Sequence, residues 1–283
     1  MPPFLNLTEA LAAFASFADK TQSLGHIRPI HQHIAMRLVL EGGFLPNEIL
    51  PHPPLRASSE RSQWLLEYAP GEENASEQTV LGGLKSKKID VVVSKAGVGP
   101  VVAISVKGTT GAFRNLTNRM EEAIGDSTNV HLMYPGLVYG FFQVIRANRR
   151  GETGVEANDV AVDLSGQAVE SIRRYHDALA ELSGRRFVRD DLTRYERVAF
   201  ALVEPGTPVL GAVLRNFPVP ESPLRIEGFF KDLLERYDLR FPYVGASVPN
   251  LKRVVWSKQS PILLELGKES EWETKLGFHP RVE

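Results

Sequence analysis

The chain has 283 residues, 43 % of them hydrophobic, a formal net charge of −1 and no cysteine. A sequence of this size can bury a substantial core as one large α/β body. Without cysteine it has no disulfide, thiolate zinc site or cysteine nucleophile, so any metal falls to oxygen and imidazole donors, with a hard cation expected. No run approaches the roughly eighteen consecutive apolar residues that span a bilayer. Met1 to Phe14 lacks the basic start, apolar core and small-residue cleavage site of a secretory leader, so a cytoplasmic location with no membrane partner is expected.

Leu11, Phe14 and Phe17 recur at helical spacing within Leu7–Gln22, and Ile34 and Leu38 within Ile30–Leu40, predicting two N-terminal helices. Gly42-Gly43 stops the second, and the proline-rich Pro46–Pro54 predicts an extended connector. Ser58–Gly83 is polar and reads as mostly irregular. Ile89–Val93 and Val101–Val106 are short and β-branched, and Lys95–Pro100 joins them as an antiparallel hairpin. Asn115–Ile124 predicts a helix with Leu116, Met120, Ala123 and Ile124 on one face, ending near Gly125. His131–Ile145 predicts a strand, a Pro-Gly turn and a second buried strand, and Arg146–Asn158 a charged loop. Beyond it come a helix over Gln167–Leu182, a strand over Val198–Val203 and an amphipathic helix over Ile226–Leu239, with Phe229, Phe230, Leu233 and Leu234 inward.

Charge divides unevenly along this chain. Between Leu84 and Arg119, seven basic residues (Lys85, Lys87, Lys88, Lys95, Lys107, Arg114 and Arg119) face one acid, Asp90. Such a segment suits a polyanion, since phosphate neutralisation supplies most non-specific affinity for DNA; a lysine-fringed solvated surface would look the same. Within it, alternation along a strand puts Ser105 and Lys107 on one face with Val101 and Ala103. Asp90 interrupts an apolar strand, which is costly unless the acid binds a metal, meets a cation such as Lys107 across the hairpin, or emerges at the strand end. With Mg²⁺ held by Asp90, the cation would polarise a scissile phosphate, and Lys107 would position the attacking water. One carboxylate is too few, so a second acid has to come from elsewhere.

Asp90, then Ser105-Val106-Lys107, then Glu121 resembles the PD-(D/E)XK nucleases in a permuted form, in which serine replaces the acid two places before the lysine and a helix glutamate fills the vacated space. That form belongs to type II restriction endonucleases acting on CCGG-type cores. The resemblance covers about Ile89 to Ile124. It implies a restriction-endonuclease-like α/β fold, a central mixed sheet flanked by helices, in a single nuclease domain over 1–283: a helical part over 1–55, a catalytic core over about 80–150 and a C-terminal α/β part over 160–283. It further implies Mg²⁺ held by Asp90 and Glu121, catalysis by Asp90, Ser105, Lys107 and Glu121, double-stranded DNA as substrate, a homodimer, and products with a 5′-phosphate. Three departures accompany it. Ile89 stands where the motif has proline. Glu122 competes with Glu121, which lies nearer the apolar stripe at about 100° per residue. Arg114 and Arg119 come later than the arginine pair that reads guanines in those enzymes.

Arg114, Asn115, Asn118 and Arg119 form a reading surface suited to guanine and adenine edges, although Arg119 and Glu122 also have the spacing of a surface helix pair. Thr109 and Thr110 suit backbone or phosphate contacts, Gly108 and Gly111 close approach to DNA, and Arg146, Arg149 and Arg150 either a phosphate clamp or a solvated loop. His31 and His33, two apart, face different sides of their helix and do not share a metal; His52 and His131 read as structural. Tyr134, Tyr139, Phe141 and Phe142 read as core. A repair or recombination nuclease, or a DNA-binding protein that lost catalysis when position 105 became serine, stays open. The last separates from the nuclease on whether the Glu121 carboxylate reaches Asp90 and Lys107. A Ser105/Lys107 hydrolase lacks an oxyanion-hole motif.

Overall fold

The computed structural model describes residues 1–17, 24–60, 62–242 and 251–283, without the side chains of residues 24 and 114. Helix α1 (Leu7–Ser16) starts at Asn6, whose side chain accepts the Thr8 N–H at 2.8 Å, and it buries Ala10, Leu11, Phe14 and Ala15. Residues 18–22 of the expected first helix lie outside the described residues. Helix α2 (Arg28–Leu40) has proline in its first turn and is buried nearly all round, His31, His33 and Arg37 included. The Pro46–Pro54 connector is extended as expected and carries the two-residue strand β1 (Ile49–Leu50).

Ser58–Gly83 is more regular than its polarity predicts. It contributes to a hairpin of β2 (Leu55–Glu60) and β3 (Gln63–Tyr68), and holds β4 (Gln78–Val80), which pairs with β5 (Lys87–Ile89). The β2–β3 hairpin packs on distant sequence: Leu66 N–H donates to Ser260 Oγ at 3.2 Å, and Trp64 bridges to Trp256. No local pattern reveals such a partner.

The expected hairpin is present as β6 (Val91–Lys95) antiparallel to β7 (Gly99–Thr109), with Val91 opposite Ile104 and a bulge after Val93. Helix α3 (Leu116–Met133) crosses to β8 (Val138–Arg146), α4 (Glu170–Glu181) crosses to β9 (Arg197–Val203), and both strands run parallel to β7. The sheet order is β1-β6-β7-β8-β9, a mixed five-stranded sheet flanked by helices. Helices α5 (Phe229–Arg240), α6 (Pro261–Leu266) and α7 (Glu269–Leu276) follow; α5 was expected and buries Phe229, Phe230, Leu233 and Leu234, whereas α6 and α7 were not. Helix α3 continues through Gly125, so His131–Met133 close a helix instead of opening a strand. The cost of a mid-helix glycine, about 1 kcal/mol, is outweighed by buried Val130 and by Asn129, whose side chain binds the 84–85 backbone.

Strict alternation in β8 and β9 builds a core on each face of the sheet. Val138, Phe142, Val144, Ala199, Ala201 and Val203 join α1, α2, α5, α6 and α7 on one face. Tyr139, Phe141, Ile145, Val198, Phe200 and Leu202 join α3 and α4 on the other. At Gly140 a Cβ would come within 2.7 Å of Phe229 and 2.9 Å of Leu233, so glycine is what lets α5 lie against β8. The first core draws on residues from Leu5 to Phe278, tying both ends of the chain to one sheet. Among the described residues no helix is long and apolar enough to cross a membrane.

His33 gives this core a pH limit. It is fully buried, its Nδ1–H donates to the Phe4 carbonyl at 3.0 Å, and burial, reinforced by the Arg37 charge, pushes it down to about 3. The unfolded chain therefore takes up a proton below about pH 6.5 that the folded chain refuses until about pH 3. The His33 contribution is complete above pH 6.5 and declines by about 1.4 kcal/mol per unit as pH falls through that window. Urea denaturation at pH 7.5 and 4.5 is expected to show His33→Gln losing about 2–3 kcal/mol less than the parent between the two. Equal losses would remove His33 as the cause.

Candidate active site

The sheet splits at Asp90, and that split builds the site. Val91 pairs with Ile104, but one residue earlier the chain leaves β7 to join β4, where Ile89 pairs with Gln78. Asp90 stands in the gap, outside both strands, and its Oδ2 accepts the Val106 N–H at 2.7 Å. Glu77 and Asp90 are the residues that follow directly beyond that last Gln78–Ile89 pair. Helix α2 then lays His31 alongside, its Nε2 3.7 Å from Asp90 Oδ1. One ligand atom from each of His31, Glu77 and Asp90 lies within 4.8 Å of the others.

Lys107 approaches from β7, with Nζ 4.0 Å from Asp90 Oδ2 and its side chain 28 % exposed. Asp90 and Lys107 are thus brought together as expected. His31 is 5 % exposed, and its Nε2 is buried without a hydrogen-bond partner. Burial lowers its proton affinity; Asp90 opposes this, while Lys107, Arg28 and His26 add to it. A neutral imidazole beside two carboxylates is a competent metal donor.

The other expected residues fall elsewhere. Ser105 is buried with its hydroxyl 2.8 Å from the Tyr139 hydroxyl, whose proton affinity burial raises, so the pair is a core contact. Glu121 is exposed and turned away. Measured around α3 from buried Ala123, it sits about 160° off at 100° per residue, whereas Glu122, Arg119 and Asp126 fall within about 100°. Those three line a cleft of about 220 Å³ with Lys107 and Phe141. The stripe drawn through Met120 and Ile124 pointed to Glu121, but Ile124 is itself 37 % exposed and the buried stripe runs through Leu116, Ala123, Ser127 and Val130.

Basic charge near the site is smaller than the sequence count. Lys95 is buried against Glu48 at 2.8 Å, its proton affinity lowered by burial against the pull of that partner. Lys87 reaches Asp126 at 2.6 Å and Glu122 at 3.8 Å. Lys85 and Lys88 are exposed, as are Asn115 and Asn118; Arg119 is half-buried, and the Arg114 side chain lies outside the described residues. Gly108 and Gly111 are closed by protein: a Cβ would meet Phe14 at 2.7 Å and Asp159 at 2.8 Å, respectively. Asp159 accepts the N–H of Ala112, which adopts φ 56°, and Asn148 holds the Thr110 carbonyl at 2.8 Å, so this turn is fixed from beneath. A second cleft of about 390 Å³ opens beyond His31, lined by Arg28, Gln32, His52 and Asn74 among others.

Sequence reasoning set His31 aside and did not weigh Glu77. The one signal for Glu77 was the β4–β5 register, which depends on recognising strands in a polar segment. His31 had no local signal, because its partner is 59 positions away. Comparison with models of protein families, with curated proteins and with solved structures gave no match.

Proposed function

We propose that the chain is a divalent-metal-dependent phosphodiester hydrolase. Within that class we favour a sequence-specific double-stranded DNA endonuclease of the type II restriction kind, working as a homodimer with a divalent cation, Mg²⁺ or Mn²⁺. The observation that carries it is the convergence of Asp90, Glu77, His31 and Lys107 at one break in the sheet. The order of elements around that break, a helix, three antiparallel strands, a crossover helix and a parallel strand, suits the restriction-endonuclease-like core that the motif resemblance implies.

A bound cation would supply Lewis acidity and a bound water of lowered pKa. Asp90 and Glu77 would hold it, and Asp90 is kept in place by the Val106 N–H. Lys107 brings a cationic ammonium to the same point, where it would orient the attacking water and offset charge on the phosphate. Arg119, beside Lys107 in the cleft, and exposed Lys85 and Lys88 would contact the DNA backbone; Asn115 and Asn118 at the start of α3 would face bases. Ser105 takes no part in this scheme.

An exposed Glu121 on its own would favour a DNA-binding protein without catalysis. The hydrolase reading is kept on a different ground, a second carboxylate on Glu77 beside Asp90 that the Glu121 criterion did not consider. Purified chain incubated with plasmid and Mg²⁺ or Mn²⁺ is expected to give discrete cuts with 5′-phosphate ends. No cleavage with either ion, alongside intact DNA binding, would favour the binding protein. Glu77→Gln is expected to lower cleavage about a hundredfold or more. Glu121→Ala is expected to stay within a few-fold of the parent and Glu122→Ala to fall between them, because only Glu122 shares the cleft with Lys107. A larger loss from Glu121→Ala than from Glu77→Gln would return the second acid to the helix.

A further inference from the structure

We infer that His31, Glu77 and Asp90 form a mixed nitrogen and oxygen centre for a first-row transition ion of the Mn²⁺ class, in preference to Mg²⁺. Glu77 and Asp90 stand just beyond the last β4–β5 pair, with carboxylate oxygens within 4.8 Å of each other, and two like charges at that range repel. Lys107 stands 4.0 Å from Asp90, too far for a hydrogen-bonded ion pair. His31 supplies an independent observation: its Nε2 is buried, has no hydrogen-bond partner and lies 3.7 Å from Asp90 Oδ1. A buried ring nitrogen left bare beside two acids costs free energy that a shared cation would recover.

The donor set points to the ion. Mg²⁺ takes oxygen donors and water and sheds its hydration reluctantly, so an imidazole gains it little; first-row transition ions take imidazole more readily, and among them Mn²⁺ is the one that shares the carboxylate preference of Mg²⁺. Donors of one such ion stand about 3 to 4.4 Å apart, from metal–ligand distances near 2.1–2.2 Å. His31 Nε2 and Asp90 Oδ1 already stand 3.7 Å apart, and half-exposed Glu77, within 4.8 Å of both, needs only a small movement to join them. Of the three donors, His31 lines the adjoining cleft, and Glu77 is half-exposed.

This assignment takes its purpose from the hydrolase reading, but it is tested without DNA, so either can fail while the other stands. The free full chain is titrated with Mn²⁺ alone and followed by electron paramagnetic resonance, with Mg²⁺ as competitor and pulsed detection of nitrogen coupling. The expected result is one bound Mn²⁺ with histidine nitrogen coupling, and a Kd about tenfold or more below that of Mg²⁺. His31→Gln is expected to remove the coupling and weaken Mn²⁺ about tenfold or more while affecting Mg²⁺ much less. Because His31 is buried and its variant could misfold, Glu77→Gln is the second arm: it weakens Mn²⁺ and leaves the nitrogen coupling on whatever ion remains bound. No bound Mn²⁺, no nitrogen coupling, coupling that survives in folded His31→Gln, or Mg²⁺ competing at less than a tenfold excess would each overturn the assignment. Mn²⁺ bound as expected, with no DNA cleavage under any condition, would overturn the hydrolase reading and leave the centre intact.

Discussion

Asp90→Asn and Lys107→Ala are each expected to reduce DNA cleavage by about 10²–10⁴-fold while leaving fold and most DNA binding in place. Asparagine is the informative change at 90, because its side-chain oxygen still accepts the Val106 N–H that holds the split sheet together. It thereby removes the charge and keeps the structure. Asp90→Ala would add about 1–3 kcal/mol of instability by leaving that N–H without its acceptor, and would blur the result. At Lys107, 28 % exposed and in a long 4.0 Å pair with Asp90, alanine removes the ammonium at little cost to stability. Single-turnover cleavage, thermal melts and DNA binding in the absence of metal separate the effects. Asp90→Asn cutting within tenfold of the parent at equal metal concentration would take Asp90 out of the chemistry.

The largest stability effect is expected at Glu196. Its carboxylate is fully buried and accepts from Arg185 at 2.7 Å, from Arg240, and from the Tyr139 N–H at 2.6 Å. Burial works against the charge, and His131 at 3.5 Å, Arg240 and the Tyr139 N–H outweigh it, holding the carboxyl below its usual range. Glu196→Ala leaves two guanidiniums in the interior without a counter-charge, although each keeps backbone carbonyl partners. A loss of about 3–5 kcal/mol is expected, seen in urea denaturation as a lower midpoint and in melting as a drop of about 10 °C. Glu196→Gln keeps an acceptor and is expected to lose less. A loss below about 1 kcal/mol for the alanine variant would mean that the arginines are satisfied by carbonyls alone.

The parts of the fold legible in the sequence share a property: the signal and its cause sit in the same short segment. β-Branched runs on either side of Lys95–Pro100 form the β6–β7 hairpin, and the Phe229/Phe230/Leu233/Leu234 repeat forms α5 with those residues buried. The misread parts owe their state to distant partners. The polar stretch before Gly83 is strand because Trp256 and Ser260 pack on it, and α3 passes Gly125 because Val130 and Asn129 anchor its far end. The same division runs through the candidate site. Asp90 is visible as an acid interrupting an apolar strand and Lys107 as a lysine on the strand across the hairpin, and the structure brings them to 4.0 Å. The second acid was sought on a helix face, but the face was drawn from hydrophobicity instead of burial, and Glu121 lies opposite the residues that α3 buries.

By itself, then, the sequence determined a mixed α/β body with a β-hairpin carrying an acid and a lysine, because strand propensity, alternation and the cost of a carboxylate among valines are local quantities. Only the tertiary structure decided what stands around that acid. A sheet that splits after Ile89 leaves Glu77 beside Asp90 at the end of the β4–β5 pair, and an N-terminal helix packed on one face of the sheet delivers His31 to the same point. Pairing register and helix docking are fixed by the whole core, so donors separated by dozens of residues meet where no segment alone could place them.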